Sequence, residues 1–417
     1  MGLRRSPLVW WLLPATPLWV WMTMSHQSSW RGVWPSASTW VASPVTYAAI
    51  LLGGAVAWVS SRRSKTGILQ DATVARRSPF AVNAVDVTIV LIYAVLPFLI
   101  AVVAVSLRNV GPAPDGWLWP GYLVPAVAVL ATCAATSHVL GYLTSSTLLA
   151  VLSGAGASLI IAFYTAMPIA APPELRPAWE HVGALCAAAA FSLAVALVVP
   201  VFVVGRRPEP ASGRTRALAL GATALAVLVA LVAASSSGPS QVTRPAPTHL
   251  ACAGVEGESR VCTWPDHAAY LDELVPLARR ANQVAAGVFP PESTFYEFGL
   301  EDNTGAKSFK VLAQGHGLWF TAGGMADTFI NRVTLRHFCT AASESDDAKR
   351  TRDITNLEYW LQSRIYGGNQ PGDVVDVGGS PDTSEARAAL RRSGEEQRVW
   401  GEATLSGINS TPCADTP

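Results

Sequence analysis

Few residues in this chain have the type and spacing to do chemistry, and each also has a plain structural reading. Zinc needs neutral imidazoles or thiolates that converge. His-Glu-x-x-His is absent, and His337-Phe-Cys339 is the only close His/Cys pair within residues 251–417. A half-cystine beside a surface histidine accounts for it. No Gly-x-x-x-x-Gly-Lys-Ser/Thr loop is present to cradle a phosphate, since Gly299 to Lys307 has the wrong spacing. No Gly-x-Ser-x-Gly elbow presents a nucleophile. Asp266-His267, Asp272-Glu273 and Glu395-Glu396 read as solvated helix faces. The expectation is a chain with no catalytic constellation, metal or cofactor.

Two groups of residues remain. Cys252, Cys262, Cys339 and Cys413 share the C-terminal half, whereas Cys133 and Cys186 lie in apolar stretches and read as packing residues. An even number of cysteines in an oxidising compartment predicts disulfides. Cys252 and Cys262 enclose a polar Gly/Glu-rich turn, so a local bridge is expected there, and Cys339 with Cys413 would tie back the tail. Three pairings are formally open, and four free thiols are the alternative. The second group is one residue, His138, the only commonly ionisable side chain inside the apolar windows described next. Such a residue is costly in lipid and is a functional candidate by default. Its plainer reading is that it lies about five residues from a span end and reaches the interface.

The elements that position these residues follow from composition. Half of the chain is apolar and only 14% is charged, against about 25% in soluble domains. Residues 1–236 carry a balance of +8 and residues 237–417 one of −7. A membrane half is therefore joined to an acidic soluble half, with no clustered basic face for nucleic acid. A bilayer core of about 30 Å needs about 20 apolar residues. Seven windows qualify: 8–24, 41–60, 87–106, 121–143, 147–168, 182–204 and 217–236. The first is short and carries Pro14 and Pro17. It is expected to be a retained helix, with a signal peptide as the alternative, because residues 21–26 lack a small-x-small cleavage pattern.

Arginine and lysine in the loops set the orientation. With the N-terminus in the cytoplasm, the inner segments hold eleven basic residues and the outer loops only Arg31, Arg108 and Arg176. Trp30, Trp34, Trp40, Trp117, Trp119 and Trp179 fall on the outer side, at headgroup level. The expected architecture is a membrane all-α bundle of about seven transmembrane helices in the plasma membrane (1–236), a linker (237–250), and a small α+β, mostly helical, extracytoplasmic domain (251–417). In that domain Pro265 opens a helix that continues through Leu271, Leu274, Ala278, Ala281, Ala285 and Val288, with a kink at Pro276. Residues 295–298 and 308–312 read as strands joined by hairpin chemistry at 302–305. Further helices are expected over 322–341, 353–366 and 383–408, and a loop over 367–382.

Residues 61–86 form the most informative polar stretch of the membrane half. Asp86 at its end reads as an acid facing the positive end of a helix. Ser61 to Pro79 predicts a short helix with Ile68, Leu69, Ala72 and Ala75 on one side, or else a basic loop that sets topology and touches anionic lipid. The order span, Arg62-Arg63-x-Lys65-x-Gly-Ile68-Leu69-Gln-Asp71-Ala-Thr-x-Ala-Arg76-Arg77-x-Pro, span resembles the connection between the second and third helices of actinobacterial type-2 ATP-binding-cassette permeases. The resemblance covers roughly residues 41–204. It implies a permease-like subunit of an export complex, whose own chain has no ATPase and docks a separate cytoplasmic one through Arg62, Arg63, Lys65, Ile68, Leu69, Asp71, Arg76 and Arg77. Residues 252–271 are similar to an extracytoplasmic domain of unknown function at the C-termini of such proteins. Seven spans instead of six, and an outer domain after the last one, depart from the permease pattern. The rival expectation is a non-transporting anchor that presents a sensing or interaction domain. A transporter requires a polar path or a lateral groove, which an anchor can lack. Homo- and hetero-oligomers are both compatible with the sequence.

Overall fold

The computed structural model describes residues 8–27, 30–65, 78–111, 116–144, 146–165, 175–204, 213–236, 239–255, 259–300, 317–334, 343–368 and 382–410. The chain divides into two compact units. The first comprises Met1–Gln27, Trp34–Val110 and Gly116–Arg244, and the second Ser28–Val33, Gly111–Asp115 and Pro245–Pro417.

The first unit is a helical bundle. Its helices are α1 (Val9–Met24), α2 (Trp34–Ala42), α3 (Val45–Lys65), α4 (Pro79–Asn109), α5 (Pro120–Leu143), α6 (Thr147–Tyr164), α7 (Trp179–Val204) and α8 (Gly213–Ser236). Among the described residues five stretches are long and apolar enough to cross a membrane: Trp34–Lys65, Pro79–Asn109, Pro120–Leu143, Thr147–Tyr164 and Trp179–Val203. The apolar run within α8, Ala217–Val232, is shorter, and α1 has 16 residues with Pro14 and Pro17 inside it. α1 packs on α4, with Trp19 buried and its ring against Phe98. α4 and α5 both open on a proline, whose missing N–H costs nothing in the first turn.

Prolines and glycines shape the interior. Pro44 separates α2 from α3 because it has no N–H to offer the Trp40 carbonyl; the Ser43 hydroxyl donates to that oxygen instead, at 3.0 Å. α3, α5 and α6 approach so closely that a Cβ on Gly154 would sit 2.5 Å from the Gly53 carbonyl oxygen. One on Gly141 would sit 2.5 Å from that of Ala57. Gly154 therefore packs helices, while Gly156 faces open space.

Contacts sort the two ends of this bundle. At one end β1 (Leu175–Pro177) pairs antiparallel with β2 (Gln241–Thr243). There the Gln241 amide donates to the Tyr122 hydroxyl at 2.7 Å, and the Arg244 guanidinium lies 5.4 Å from the Trp119 ring centroid. The stretch expected as a linker thus contains a strand. At the other end Arg63 pairs with Asp86, and the Lys65 ammonium donates to the Thr147 hydroxyl at 2.9 Å.

The second unit contains β3 (Ala251–Gly254), β4 (Arg260–Thr263), a 3-10 turn (Pro265–Tyr270), α9 (Leu271–Ala285), β5 (Thr294–Tyr296), α10 (Gly317–Thr334), α11 (Glu344–Tyr366), α12 (Ser384–Ala389) and α13 (Gly394–Ser410). β3 and β4 form an antiparallel hairpin, and β5 joins β4 in parallel. The strand expected at 295–298 is therefore present as β5, but it pairs with residues 260–262. The second expected strand and the turn at 302–305 lie outside the described residues. α9 presents Leu274, Leu277, Ala278, Ala281 and Ala285 to a core completed by Phe295, Phe329, Leu357 and Trp360. Val33 is part of this core, and the Tyr270 hydroxyl donates to the Arg31 carbonyl. α11 is capped by Ser343, whose hydroxyl accepts from the Asp346 N–H, and ends on Gly367 at φ 87°. The helix expected over 383–408 is two helices, because Ser393 and Glu396 form a capping box that starts α13 afresh.

Candidate functional site

The densest polar arrangement in the bundle is a layer across α3, α4, α5 and α7, and it begins with a proline. Pro200 lies inside α7 and cannot donate to the carbonyl four residues earlier, that of Ala196. In a membrane helix such a carbonyl needs a partner from a neighbour. Asn83 of α4 supplies it, its amide nitrogen donating to the Ala196 and Leu197 carbonyls at 2.9 Å each. Carbonyls only accept, so the orientation of the Asn83 amide is fixed and its oxygen faces His138 of α5. The His138 Nε2–H donates to that oxygen at 3.1 Å. In the neutral ring Nδ1 is then the acceptor, and the Ser60 hydroxyl of α3 donates to it at 2.9 Å. Ser60, Asn83 and His138 are all buried.

His138 therefore does not extend to the bundle end. Both ring nitrogens are held inside, and the ring meets Tyr142 edge-on at 5.0 Å. One helical turn further on, at positions 63 and 86, the Arg63 guanidinium and the Asp86 carboxylate pair at 2.6 Å. Asp86 is not a first-turn acid: α4 starts seven residues earlier, at Pro79, and Arg63 is its partner.

The three described members of the docking segment all have partners within the chain. Besides the Arg63 pair and the Lys65 bond to Thr147, the Arg62 guanidinium lies 5.1 Å from the Trp58 ring centroid. Ile68, Leu69, Asp71, Arg76 and Arg77 lie outside the described residues.

A second feature of the bundle is an apolar groove of about 450 Å³ between α4, α5 and α7. Ala128, Ala131 and Ala189 form its floor, and Leu99, Leu123 and Leu193 stand at its sides. The Cys186 thiol also faces it, so Cys186 is a lining residue, whereas Cys133 is fully buried.

In the second unit Cys252 and Cys262 are joined by a disulfide. They are directly opposed in the β3–β4 register with Cα atoms 4.1 Å apart, the close spacing of a non-hydrogen-bonded antiparallel pair. Cys339, Cys413 and His337 lie outside the described residues. Beside the disulfide is a buried pair that sequence reading misassigned to a solvated face. His267 Nδ1 donates to Glu297 Oε1, and Glu297 Oε2 accepts from the Trp264 N–H at 2.9 Å. The Glu297 N–H donates to the Cys262 carbonyl at 2.9 Å. In a 3-10 turn residues three apart eclipse each other, so His267 and Tyr270 turn inward together. Burial, with Glu273 nearby, pushes the Tyr270 phenol above its ordinary range.

Among the described residues no group of three or more His, Cys, Asp or Glu converges as a metal site. No family model matches the chain, no curated protein matches it in sequence, and no solved structure matches its fold.

Proposed function

We propose that this chain is a permease-like subunit of an ATP-driven export complex, multi-pass in the plasma membrane and dependent on a separate ATPase. In this reading the N-terminus is cytoplasmic and seven crossings carry residues 237–417 outside, in keeping with the loop arginines and the Cys252–Cys262 disulfide. One observation carries the reading: a buried polar layer ties four helices together around a proline break. A passive anchor has no need of buried polar groups at membrane depth, and they cost stability there. A helix that lacks one backbone hydrogen bond and is held there by exchangeable side-chain bonds is a place where α7 can shift against α3, α4 and α5. The apolar groove suits a lipophilic cargo better than an ionic one.

The rival reading, a membrane anchor that presents the second unit, is favoured by a different observation. Arg62, Arg63 and Lys65 are engaged within the chain, which leaves Arg76 and Arg77 as the basic residues for docking. Affinity purification of the full chain from its native membranes in mild detergent separates the two. The export reading expects an ATPase to co-purify and to be lost when Lys65, Arg76 and Arg77 are changed together to serine. Recovery of the intact chain without an ATPase, or retention of the ATPase by the triple variant, overturns it. Arg63 is left unchanged because its removal would strand Asp86.

A further inference from the structure

We propose that the groove between α4, α5 and α7 is a binding site for one acyl chain of a membrane phospholipid, drawn from the leaflet at the Trp119 and Trp179 end of the bundle. The inference rests on the membrane placement of these helices and is independent of ATP-driven transport.

Depth is the first reason. Leu123 and Ala131 lie three and eleven residues into α5 from Pro120, or about 5 and 16 Å at 1.5 Å per residue. Phe98 and Val102 lie eleven and seven residues from the end of α4 at Asn109, at similar depths. A single leaflet of hydrocarbon is about 15 Å deep, half of a core of roughly 30 Å. The groove therefore runs from near the interface to the midplane and is elongated along the helix axes. Trp119 and Trp179, which precede α5 and open α7, mark headgroup level at its mouth.

Wall chemistry is the second reason. The groove is lined by aliphatic side chains, the Phe98 ring and the Cys186 thiol, with no charged side chain to recognise an ionic ligand. Alanines make it deep where α5 and α7 meet. The third reason is size. A transmembrane helix is 10 Å or more across, so the same 16 Å of its length occupies upwards of about 1,200 Å³. The groove offers about 450 Å³, too little for a partner helix to seat in and enough for a flexible hydrocarbon chain.

The test uses the full chain in phosphatidylethanolamine/phosphatidylglycerol vesicles doped with a phospholipid that carries a diazirine midway along its sn-2 chain. After irradiation, label is expected to concentrate in peptides covering 98–102, 123–131 and 186–193. Ala190→Phe fills the groove from its exposed rim and should remove that label. Ala187→Phe, equally exposed on α7 but outside the lining, should leave it. Label spread evenly over Leu149, Leu152 and Leu159 of α6, or label that persists in Ala190→Phe, overturns the proposal. A second reading needs no variant. Alkylation of Cys186 by an apolar maleimide should quicken when bound phospholipid is stripped with detergent and slow again when it is restored; an unchanged rate overturns the proposal. Loss of the ATPase partner in the preceding pull-down has no bearing on either readout, so the two readings fail separately.

Discussion

His138 and His267 are both almost wholly out of solvent, and the two units hold them in opposite ways. In the bundle the imidazole meets only neutral partners, an amide oxygen and a hydroxyl, and passes its constraint to the carbonyl that Pro200 leaves unpaired. In the second unit the imidazole meets a carboxylate, and that carboxylate also takes a backbone N–H from Trp264. A hydrocarbon medium penalises charge heavily, so a neutral layer is the affordable way to join four helices there. The second unit can bury a carboxylate because its oxygens are filled, and in return it gains a corner where β4, the 3-10 turn and the residue after β5 meet. One site repairs a helix; the other builds a corner.

The largest expected effect falls on the second of these. Glu297→Ala leaves His267 and the Trp264 N–H without their acceptor in a closed interior. It should cost the second unit about 3–5 kcal/mol, read as loss of hydrogen-exchange protection across 260–297. Glu297→Gln keeps an acceptor for Trp264 and should cost less. Equal losses would mean that the backbone contact contributes nothing. In the bundle, Asn83→Leu strands the Ala196 carbonyl and the His138 Nε2–H, for an expected loss of about 1–3 kcal/mol in detergent unfolding. Pro200→Ala in that background should recover part of the loss, since an alanine N–H can serve Ala196; no recovery would break the link between the proline and the layer. Ser60→Ala removes one membrane-buried hydrogen bond and should cost only about 0.6 kcal/mol. The smallest effect is the exposed counterpart of Glu297. Hydrogen bonds from the Ser393 N–H and then its hydroxyl hold the Glu396 carboxyl below its ordinary range. A group whose titration is depressed on folding stabilises above its unfolded range and stops doing so as pH falls through the folded one. Acidification should therefore fray the first turn of α13, and Ser393→Ala, which keeps the backbone donor and removes the hydroxyl, should shrink that pH dependence without abolishing it.

Hydropathy made the apolar helices readable because it registers runs of carbon, and for the same reason it passed over the residues that join them. Asn83 and Asp86 lie just before the window at 87–106, and Ser60 closes the window at 41–60, so the layer falls at the margins that such a scan discards. A proline in an apolar helix, with an asparagine free to serve its orphan carbonyl, was the available signal. His267 falls on a solvated face at a 3.6-residue period, but the chain takes a 3.0-residue turn there, which brings it inward. The join at Ser393 was legible as Ser-Gly-Glu-Glu, a helix start inside an otherwise continuous pattern. The parallel pairing of β5 with β4 was not legible: strands of three and four residues some thirty positions apart leave no periodic trace.

The short ladder between Leu175–Pro177 and Gln241–Thr243 does more than close a loop. Two segments that hydrogen-bond to each other must lie on the same side, so whatever chain runs between them has to leave and come back. α7 and α8 together make that round trip. Removing α8 would leave the strands separated by the 26-residue α7 alone, up to about 39 Å of helix rise. Six paired residues thus oblige the chain that runs out along α7 to return, and α8, packed on α7, carries it back.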